Sequence, residues 1–460
     1  MSLELDVTPA LEAALGGGGE MAEAFLEDSS SLMVVIDNAK VEKVLGGQDL
    51  GVGLRLIKDL RTSYAFGNQL RAQALVALAS DIAAERDAAP GRLHSFAPIA
   101  PGLAPAIVKP PIGVETARKV EMARTAEAAA RAVDNRVRQV RVIYLERTQR
   151  VRVVNSLGVD ARDERTQVLM AIHCVAAEGA VLQTGYESIG GLCGLELFDD
   201  QPPEQAARRA ARQAVMMLAA QPAPGGSMAV VLHSAAGGTM IHEAVGHGLE
   251  ADIVLEGMSV YKDQVGRQVA SPLITVIDDG SLAGKRGSAG FDDEGVPTGR
   301  NVLIAGGVLK GYLHDRLSAM KMNARPTGNG RRENYRQRPI PRMTNTFIAP
   351  GHDDPEAIIA DTPHGLLVKK MGGGQVNTTN GDFVFEVAEG YLIENGRVGR
   401  PVRGATLTGN GPKVLMDIDR VANDLGFGIG TCGKEGQGSP VADAQPTLRI
   451  PSIVVGGRQG

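Results

Sequence analysis

The chain has 460 residues, of which 43% are hydrophobic and 22% charged, and its formal net charge is −5. Domains usually hold about 100 to 200 residues, so we expect two or three domains with cores of their own. The slightly acidic balance argues against nucleic acid or a membrane surface as the default partner. Three cysteines make no disulfide framework, no apolar run approaches the roughly 18 residues of a membrane span, and no signal-peptide pattern is visible, so we expect a cytoplasmic protein.

Residues 1–90 combine helical and extended patterns, which predict an N-terminal α/β domain. Helices are expected at 8–15 and 68–85, with Asn68 as the N-cap of the second, and strands at 33–36 and 52–57. The proline-rich segment at 91–111 resists regular structure and predicts an extended connection.

Residues 112–220 predict a middle region in which strands lie between two helices. The helical patterns cover 114–133 and 203–220, and the strand patterns lie at 137–147, 151–156 and 166–175. The run Gln-Pro-Ala-Pro-Gly-Gly at 221–226 then predicts a linker.

Residues 227–460 are dominated by short apolar runs divided by glycines. Strands are expected at 228–232, 273–277, 302–304, 366–370, 383–387, 414–418 and 448–455. The chain is therefore predicted to be α+β, with N-terminal helix/strand domains followed by a β-rich C-terminal catalytic domain.

The strongest chemical signal is the segment Gly-Gly-Thr-Met-Ile-His-Glu-Ala-Val-Gly-His-Gly-Leu-Glu-Ala-Asp at 237–252. His242 and His247 flank Glu243, which supplies the two imidazoles and the carboxylate that a hydrolytic zinc site needs. The histidines are five residues apart, which puts them roughly 140° apart around a regular helix. They can share an ion only if the helix is widened or ends between them, and Gly246 and Gly248 make either distortion easy.

A third protein ligand is needed, because catalytic zinc usually has three ligands plus water. Glu250 and Asp252 lie in the same segment, and Cys432 lies downstream in Gly-Ile-Gly-Thr-Cys-Gly-Lys-Glu-Gly-Gln-Gly at 428–438. The glycines around Cys432 let the backbone pack tightly around an ion, but a free cysteine is as often a small buried hydrophobe. From the residues alone these candidates stay open, while His233, at a strand end, is expected to be structural.

Two other patterns indicate different functions and fail a physical test. The glycines at 428, 430 and 433 match G-x-G-x-x-G, but no helix start follows, so a dinucleotide site is not expected. The five arginines at 331–342 are accompanied by one aromatic residue, Tyr335, in an acidic chain, which argues against nucleic-acid binding. We interpret this basic run as a solvated loop, or as arginines that bind carboxylate or carbonyl groups of a substrate.

Three motifs in order closely resemble the TldD/PmbA family of metallopeptidases, formerly called modulators of DNA gyrase. They are HEAVGHGLE at 242–250, Arg-Met-Thr-Asn-Thr-Phe at 342–347, and Gly-Thr-Cys-Gly-Lys-Glu-Gly-Gln-Gly at 430–438 followed by Gln-Pro-Thr-Leu-Arg-Ile. The resemblance implies zinc held by His242, His247 and Cys432, with Glu243 as the general base. It also makes the five-residue spacing the family's own pattern. The PmbA (TldE) branch lacks the metal motif, so this chain resembles the catalytic TldD branch.

The predicted function is zinc-dependent hydrolysis of unfolded or leader-type peptides through a metal-activated water. Glu243 would accept a proton from that water and pass it to the leaving amine. Candidate donors to the scissile carbonyl are His314, Tyr261 and Tyr335. The resemblance implies a dimer, formed with a PmbA (TldE)-type partner or with a second copy. Two alternatives stay open: a peptide-binding or assembly subunit with a structural metal, and a metal hydrolase that acts on other substrates.

Overall fold

The computed structural model describes residues 3–83, 89–104 and 106–457. Every described α-helix of eight or more residues begins before residue 204, and strands dominate the second half. The predicted α+β class with a β-rich C-terminal half is therefore confirmed. The α-helices are α1 (Thr8–Leu15), α2 (Ala72–Ile82), α3 (Thr116–Arg131), α4 (Leu197–Asp200), α5 (Pro203–Leu218), α6 (Thr239–Ile241), α7 (Ala251–Leu255), α8 (Arg316–Met322), α9 (Pro355–Ala360) and α10 (Gly411–Asp417).

The N-terminal half builds one seven-stranded sheet, in which β3, β2, β1, β5 and β6 are successive neighbours and both β4 and β7 pair with β6. The strands are β1 (Met21–Asp37), β2 (Lys40–Lys58), β3 (Arg61–Gly67), β4 (Ala97–Pro98), β5 (Val137–Asn155), β6 (Val159–Glu178) and β7 (Val181–Gly191). Because β1 pairs with β5 along its length, strands from the predicted N-terminal domain and middle region share one sheet. The boundaries given for those regions stay predictions.

Helices cover separate parts of this sheet. Ala206, Ala210 and Ala214, on one side of α5, are fully buried against α3 and the strands β5 to β7. Alanines at this spacing line one face of a helix and allow close approach of its neighbours. α1 and α2 bury a second apolar cluster against β1 and β2.

The C-terminal half contains two larger sheets that enclose the main hydrophobic core. In the six-stranded sheet the order is β12-β11-β10-β15-β22-β21, so β21 forms an edge. The eight-stranded sheet contains β16, β9, β23, β19, β17, β18, β8 and β20. The strands are β8 (Gln221–Pro222), β9 (Gly226–Leu232), β10 (Val276–Asp279), β11 (Arg300–Ala305), β12 (Val308–Leu309), β13 (Gly330–Arg331), β14 (Ile340–Pro341), β15 (Asn345–Ile348), β16 (His364–Val376), β17 (Asp382–Glu394), β18 (Arg397–Arg403), β19 (Thr406–Asn410), β20 (Arg420–Val421), β21 (Gly426–Lys434), β22 (Gln437–Gln445) and β23 (Leu448–Gly456).

Buried ion pairs join the two halves. Arg332 Nη2 lies 2.5 Å from Glu23 Oε1, and both side chains are fully buried. A second pair joins Arg55 of β2 to Glu294 in the C-terminal half. Each charge would be costly without its partner, so these pairs favour one fixed orientation of the first sheet against the C-terminal half.

Three predicted elements differ from the structure. Residues 137–155 form one strand, β5, where two were expected. The second helix begins at Ala72 rather than after Asn68, and part of its predicted end lies outside the described residues. Of the run at 414–418, predicted as a strand, residues 414–417 belong to α10, because the side chain of Asn410 caps a helix with proline in its first turn. None of the described helices is both long and apolar enough to cross a membrane.

Candidate metal centre

The two predicted histidines lie on a distorted helical segment. α6 runs into a π-helical turn at His242–Gly246, and a 3-10 turn at His247–Leu249 follows. The backbone N–H of His247 donates to the carbonyl of His242, five residues earlier. A π turn holds more residues than an α turn, so side chains five apart return to one side. The two imidazole rings lie 5.1 Å apart between centroids, as the expected widening requires.

The glycines beside His247 serve close packing rather than an unusual backbone angle. Gly246 has φ −55°, and Gly248 is not among the glycines with positive φ. A Cβ on Gly246 would lie 2.0 Å from Met343 Sδ, and one on Gly248 would lie 2.8 Å from Tyr261 Cδ2. Both distances are well inside van der Waals contact. These glycines were expected to ease a distortion of the helix, and the structure adds close packing against Met343 and Tyr261 as a reason for them.

Cys432 reaches the histidines from the edge strand β21. β21 and β22 form a hairpin whose turn residues, Glu435 and Gly436, both have positive φ. Cys432 Sγ lies 3.3 Å from His247 Nε2, and 6% of the residue is exposed. The segment at 237–252 and the downstream cysteine therefore meet in space, 185 residues apart in the sequence.

The three side chains form a group that fits a metal ion. One ligand atom from each of His242, His247 and Cys432 lies within 4.8 Å of the others. His242 is 4% exposed, and its buried Nδ1 has no hydrogen-bond partner in the described residues. Two imidazoles and a thiol are the donor types that zinc prefers, and a buried polar nitrogen without a partner carries a desolvation cost.

The electrostatics of the group also favour a cation. Burial acts to raise the pKa of the Cys432 thiol, but His242 and His247 outweigh it and lower that pKa to about 5. Burial acts to lower the pKa of His247, but Glu250 and Cys432 raise it well above its ordinary value. A thiol that ionises readily is the form of cysteine that ligates metals.

Glu250 and Asp252, the alternative third ligands, are held by other groups. Glu250 Oε2 lies 2.9 Å from His247 Nδ1 and 3.1 Å from Lys434 Nζ. Lys434 Nζ also donates to Asp252 Oδ1 at 2.7 Å. Burial acts to raise the pKa of Glu250, but His247 and Lys434 lower it to about 2. Glu250 therefore orients the His247 ring through Nδ1, the ring nitrogen that does not face Cys432.

Lys434 was missed by the sequence analysis, although a signal for it exists. Cys432 and Lys434 are two residues apart on β21, so strand periodicity places both side chains on one face. The remaining predicted residue, Glu243, follows His242 directly and is half-buried. Among the described residues, no hydrogen bond or ion pair of its carboxylate is seen.

The three candidate carbonyl donors each have other contacts. The Tyr261 hydroxyl points to the carbonyl of Ala244 at 3.4 Å, and His314 Nδ1 lies 3.3 Å from Ser318 Oγ. The Tyr335 hydroxyl donates to Asp49 Oδ1 in the first sheet, 3.2 Å away. The structure therefore brings none of them into the group of three ligands. His233, expected to be structural, accepts from the backbone N–H of Ala235 at 3.0 Å and caps a 3-10 turn.

All five arginines of the basic run at 331–342 have partners within the protein, and Arg336 and Arg338 are the two that are exposed. Arg332 pairs with Glu23, Arg336 with Asp49, and Arg338 with Glu435. Arg342 is fully buried and donates to the carbonyls of Gln437 and Cys432. Arg331 donates to two further backbone carbonyls. These guanidinium groups join the first sheet to the C-terminal half and support the strand that carries Cys432.

The G-x-G-x-x-G pattern lies wholly on an edge strand. Gly428, Gly430 and Gly433 belong to β21, which turns into β22 rather than into a helix. A dinucleotide fingerprint requires a helix directly after the glycines. The structure thus agrees with the rejection of a dinucleotide site.

Three family descriptions match successive parts of the chain. They are PmbA/TldA metallopeptidase domain 1 at residues 22–85, the central domain at 109–218 and the C-terminal domain at 225–457. Two curated relatives show the same likeness. "Metalloprotease TldD homolog" of Haemophilus influenzae is 37% identical over 95% of this chain and 93% of its own length. "Zinc metalloprotease TldD homolog" of Saccharolobus solfataricus is 32% identical over 50% of this chain and 52% of its own length.

Solved structures share the fold. A putative modulator of DNA gyrase from Thermotoga maritima superposes with a TM-score of 0.80 at 22% identity, over 95% of this chain and 96% of that one. TldE from Thermococcus kodakarensis gives a TM-score of 0.73 at 20% identity, over 95% and 97%. The matching domains cover most of the chain in the same order, and the Haemophilus relative extends over nearly all of it. The chain therefore belongs to the TldD/PmbA family of metallopeptidases.

Proposed function

We propose that the chain is a zinc-dependent peptidase of the TldD type, which hydrolyses unfolded or leader-type peptides with Glu243 as its general base. The observation that carries the proposal is the convergence of His242, His247 and Cys432, with the half-buried Glu243 directly after His242 in the sequence. Family membership supports the class of reaction, and this arrangement supports the role that we assign to each residue.

Zinc is the metal that best suits the donor set. Nitrogen and thiolate ligands favour zinc over the hard cations calcium and magnesium, which take oxygen ligands. The Saccharolobus relative carries zinc in its name. His242, His247 and Cys432 would hold the ion, and Glu250 would fix the ring of His247 by accepting its Nδ1–H.

The chemistry needs one proton carrier from the protein. When bound, zinc would polarise the scissile carbonyl and make a nearby water more acidic. Glu243 then accepts the proton of the attacking water and delivers it to the nitrogen of the leaving amine. Glu243 suits this role because its carboxylate forms no ion pair with a described residue. Glu250 and Asp252, in contrast, both form ion pairs with Lys434.

The number of ligands favours catalysis over a purely structural metal. Structural zinc sites usually have four protein ligands, while catalytic sites have three and keep one position open. The group in the described residues contains three, and the neighbouring acids Glu250 and Asp252 are outside it. This supports the enzyme over the peptide-binding or assembly subunit.

The partner and the compartment are part of the proposal. A PmbA (TldE)-type subunit or a second copy of the chain would complete a dimer, in line with the likeness of this fold to TldE. A cytoplasmic location is supported by three cysteines that are all free.

The test combines metal analysis with peptide cleavage. Wild type is expected to bind about one zinc per chain, and Cys432→Ala to lose or weaken it, whereas the matched Cys193→Ala keeps it. Glu243→Gln should keep zinc but lose cleavage of an unfolded peptide, while Glu256→Gln, an exposed control, stays active. Unchanged zinc in Cys432→Ala would remove the third ligand. Bound zinc without cleavage, with a PmbA-type partner present, would favour the binding subunit.

A further inference from the structure

A cleft of about 320 Å³ lies between the first sheet and the segments that carry the metal-binding residues. One wall is the edge strand β7 at Ile189, and the other contains Thr239 and Ile429. Thr239 lies three residues before His242, and Ile429 three residues before Cys432. Both segments that carry the candidate ligands therefore extend to the wall of the cleft.

Two cations in this cleft have no carboxylate partner among the described residues. Arg286 is 9% exposed and donates to the Gly430 carbonyl at 3.2 Å and to Thr431 Oγ1 at 3.3 Å. Lys285 Nζ lies 3.9 Å from the centre of the Phe427 ring, and no hydrogen bond or ion pair from this ammonium to a described residue is seen. Burial lowers the pKa of both groups.

The other two charged residues that line the cleft, Lys370 and Glu187, neutralise each other. Lys370 pairs with Glu187, and Arg209 Nε lies 3.7 Å from the same carboxylate. Glu187 is the one acidic residue among the described residues that line the cleft. Lys285 and Arg286 thus leave the cleft with two uncompensated positive charges.

Both cations keep donors that no described residue uses. A guanidinium has five N–H donors and an ammonium has three, but the protein uses two donors of Arg286, both on uncharged oxygens. Keeping a buried cation without an anion is costly, so such a pair is stabilised when a carboxylate binds. The apolar residues Ile189, Met371 and Phe427 beside them can pack against neighbouring side chains of a peptide.

We propose that Lys285 and Arg286 bind a carboxylate of the peptide substrate and so select peptides with an acidic side chain or a free C-terminus in this cleft. The proposal rests on the peptidase function proposed above and names its substrate class. Both sources present the same chemistry, a carboxylate on an extended chain, and matched peptides distinguish them.

The position of the cleft also predicts where the substrate peptide is cut. Phe427 and Cys432 are five residues apart on an extended strand, a distance of about 17 Å. A substrate whose carboxylate lies at Lys285, beside Phe427, spans that distance with about five extended residues. The scissile bond is then expected about five residues from the bound carboxylate, and mass spectrometry of the products measures this length directly.

The experiment uses one unfolded peptide in three matched forms with the zinc-loaded full chain. The forms are a C-terminal amide without acidic residues, the same sequence with a free C-terminus, and the amide with one glutamate. Wild type should have a KM about tenfold lower for a form with a carboxylate than for the neutral amide, with kcat little changed. Lys285→Gln should remove this difference, and Lys285→Glu should reverse it. Arg286→Gln is a second variant. Its zinc content is checked because Arg286 contacts Thr431, the residue before Cys432, and the substitution could shift that strand.

The controls are Lys310→Gln and Arg300→Gln, which remove one positive charge from exposed positions of the same half of the chain. They should keep the preference of the wild type. Equal KM values for all three peptides with wild type, or equal effects of Lys285→Gln and Lys310→Gln, would overturn the proposal.

If no peptide is cut, the peptidase proposal fails. The proposal of a carboxylate site is then tested by measuring peptide binding instead of cleavage. Fluorescence anisotropy of the labelled peptides on the zinc-loaded chain then gives the answer. Tighter binding of a form with a carboxylate, lost in Lys285→Gln, upholds the site without catalysis, and equal binding of all forms overturns it.

Discussion

His247 Nδ1 lies 2.9 Å from Oε2 of Glu250, a carboxylate with no exposed surface. This contact leaves Nε2 of the same ring to face Cys432 Sγ. An imidazole held in this way keeps one tautomer and one orientation, and the carboxylate strengthens it as a ligand. Lys434 also contacts Glu250 and balances its charge, so the buried contact between Glu250 and His247 is stabilised.

Replacing Glu250 by glutamine should weaken zinc binding about 10- to 100-fold. Glutamine keeps the size of the side chain but removes the charge that fixes the ring of His247. Competition against a chelator of known affinity measures the change. The matched control is Asp252→Asn, because Asp252 contacts Lys434 and neither histidine. Equal zinc affinities for the two variants would show that Glu250 does not support the ligand.

Gly246→Ala should disrupt the metal centre through packing alone. The added Cβ would lie 2.0 Å from Met343 Sδ, so Met343 or the π turn must move. Overpacking of this kind costs about 1–3 kcal/mol of stability, and a shift of the turn displaces His247. Denaturant unfolding and zinc stoichiometry measure the two effects.

The matched control for this variant is Gly433→Ala, beside Cys432, where an added Cβ meets nothing within 4 Å. The double variant Gly246→Ala with Met343→Ala should recover zinc binding, since it removes the sulfur that the new methyl meets. If Gly246→Ala unfolds like Gly433→Ala and binds zinc fully, the close approach is not a constraint on the site.

The sequence already indicated the three residues that the structure brings together, because two of them lie in one short motif and the third lies in another. The five-residue spacing of His242 and His247 already required a widened turn, and the resemblance named Cys432 among several open candidates. The cations around the site were harder to predict. Lys285 and Arg286 become relevant only because β7 and β21 meet across a cleft, and no local pattern indicates that meeting.

Short apolar runs were the least predictable part of the fold. The run at 414–418 has the composition of a strand but continues a helix that the side chain of Asn410 caps. The capping residue and the proline were visible in the sequence and would have corrected the prediction. The basic run at 331–342 was misread for a different reason: the acidic partners of Arg332 and Arg336 lie about 300 residues earlier, on β1 and β2.

The ion pair of Arg332 with Glu23 should be important for stability. Glu23→Gln leaves the Arg332 guanidinium buried without its carboxylate, and removing one partner of a buried pair costs about 3–5 kcal/mol. The free energy of unfolding in guanidinium chloride measures the loss. The control is Glu164→Gln, whose partner Arg150 is 48% exposed, so the cost should stay at about 0–1 kcal/mol. Similar losses in the two variants would mean that the first sheet does not depend on this pair.

His314 should make the protein less stable in mild acid. Burial lowers the pKa of His314 from 6.5 to about 4. Between these values the unfolded chain takes up a proton that the folded chain does not, so the stabilising contribution is complete above pH 6.5 and is lost as pH falls toward 4. A difference of about 2.5 units corresponds to about 3 kcal/mol at most.

His314→Gln should therefore lose less stability than wild type between pH 6.5 and pH 4, because glutamine does not titrate and can still bond Ser318. Unfolding in urea across this range measures the slope, with a chelator present so that protonation of the metal ligands does not release zinc during the titration. His352→Gln, at an exposed position, should follow the wild-type curve. If the wild type and His314→Gln have parallel curves, the buried imidazole is protonated as readily in the folded chain as in the unfolded chain, and His314 is not the source of the acid sensitivity.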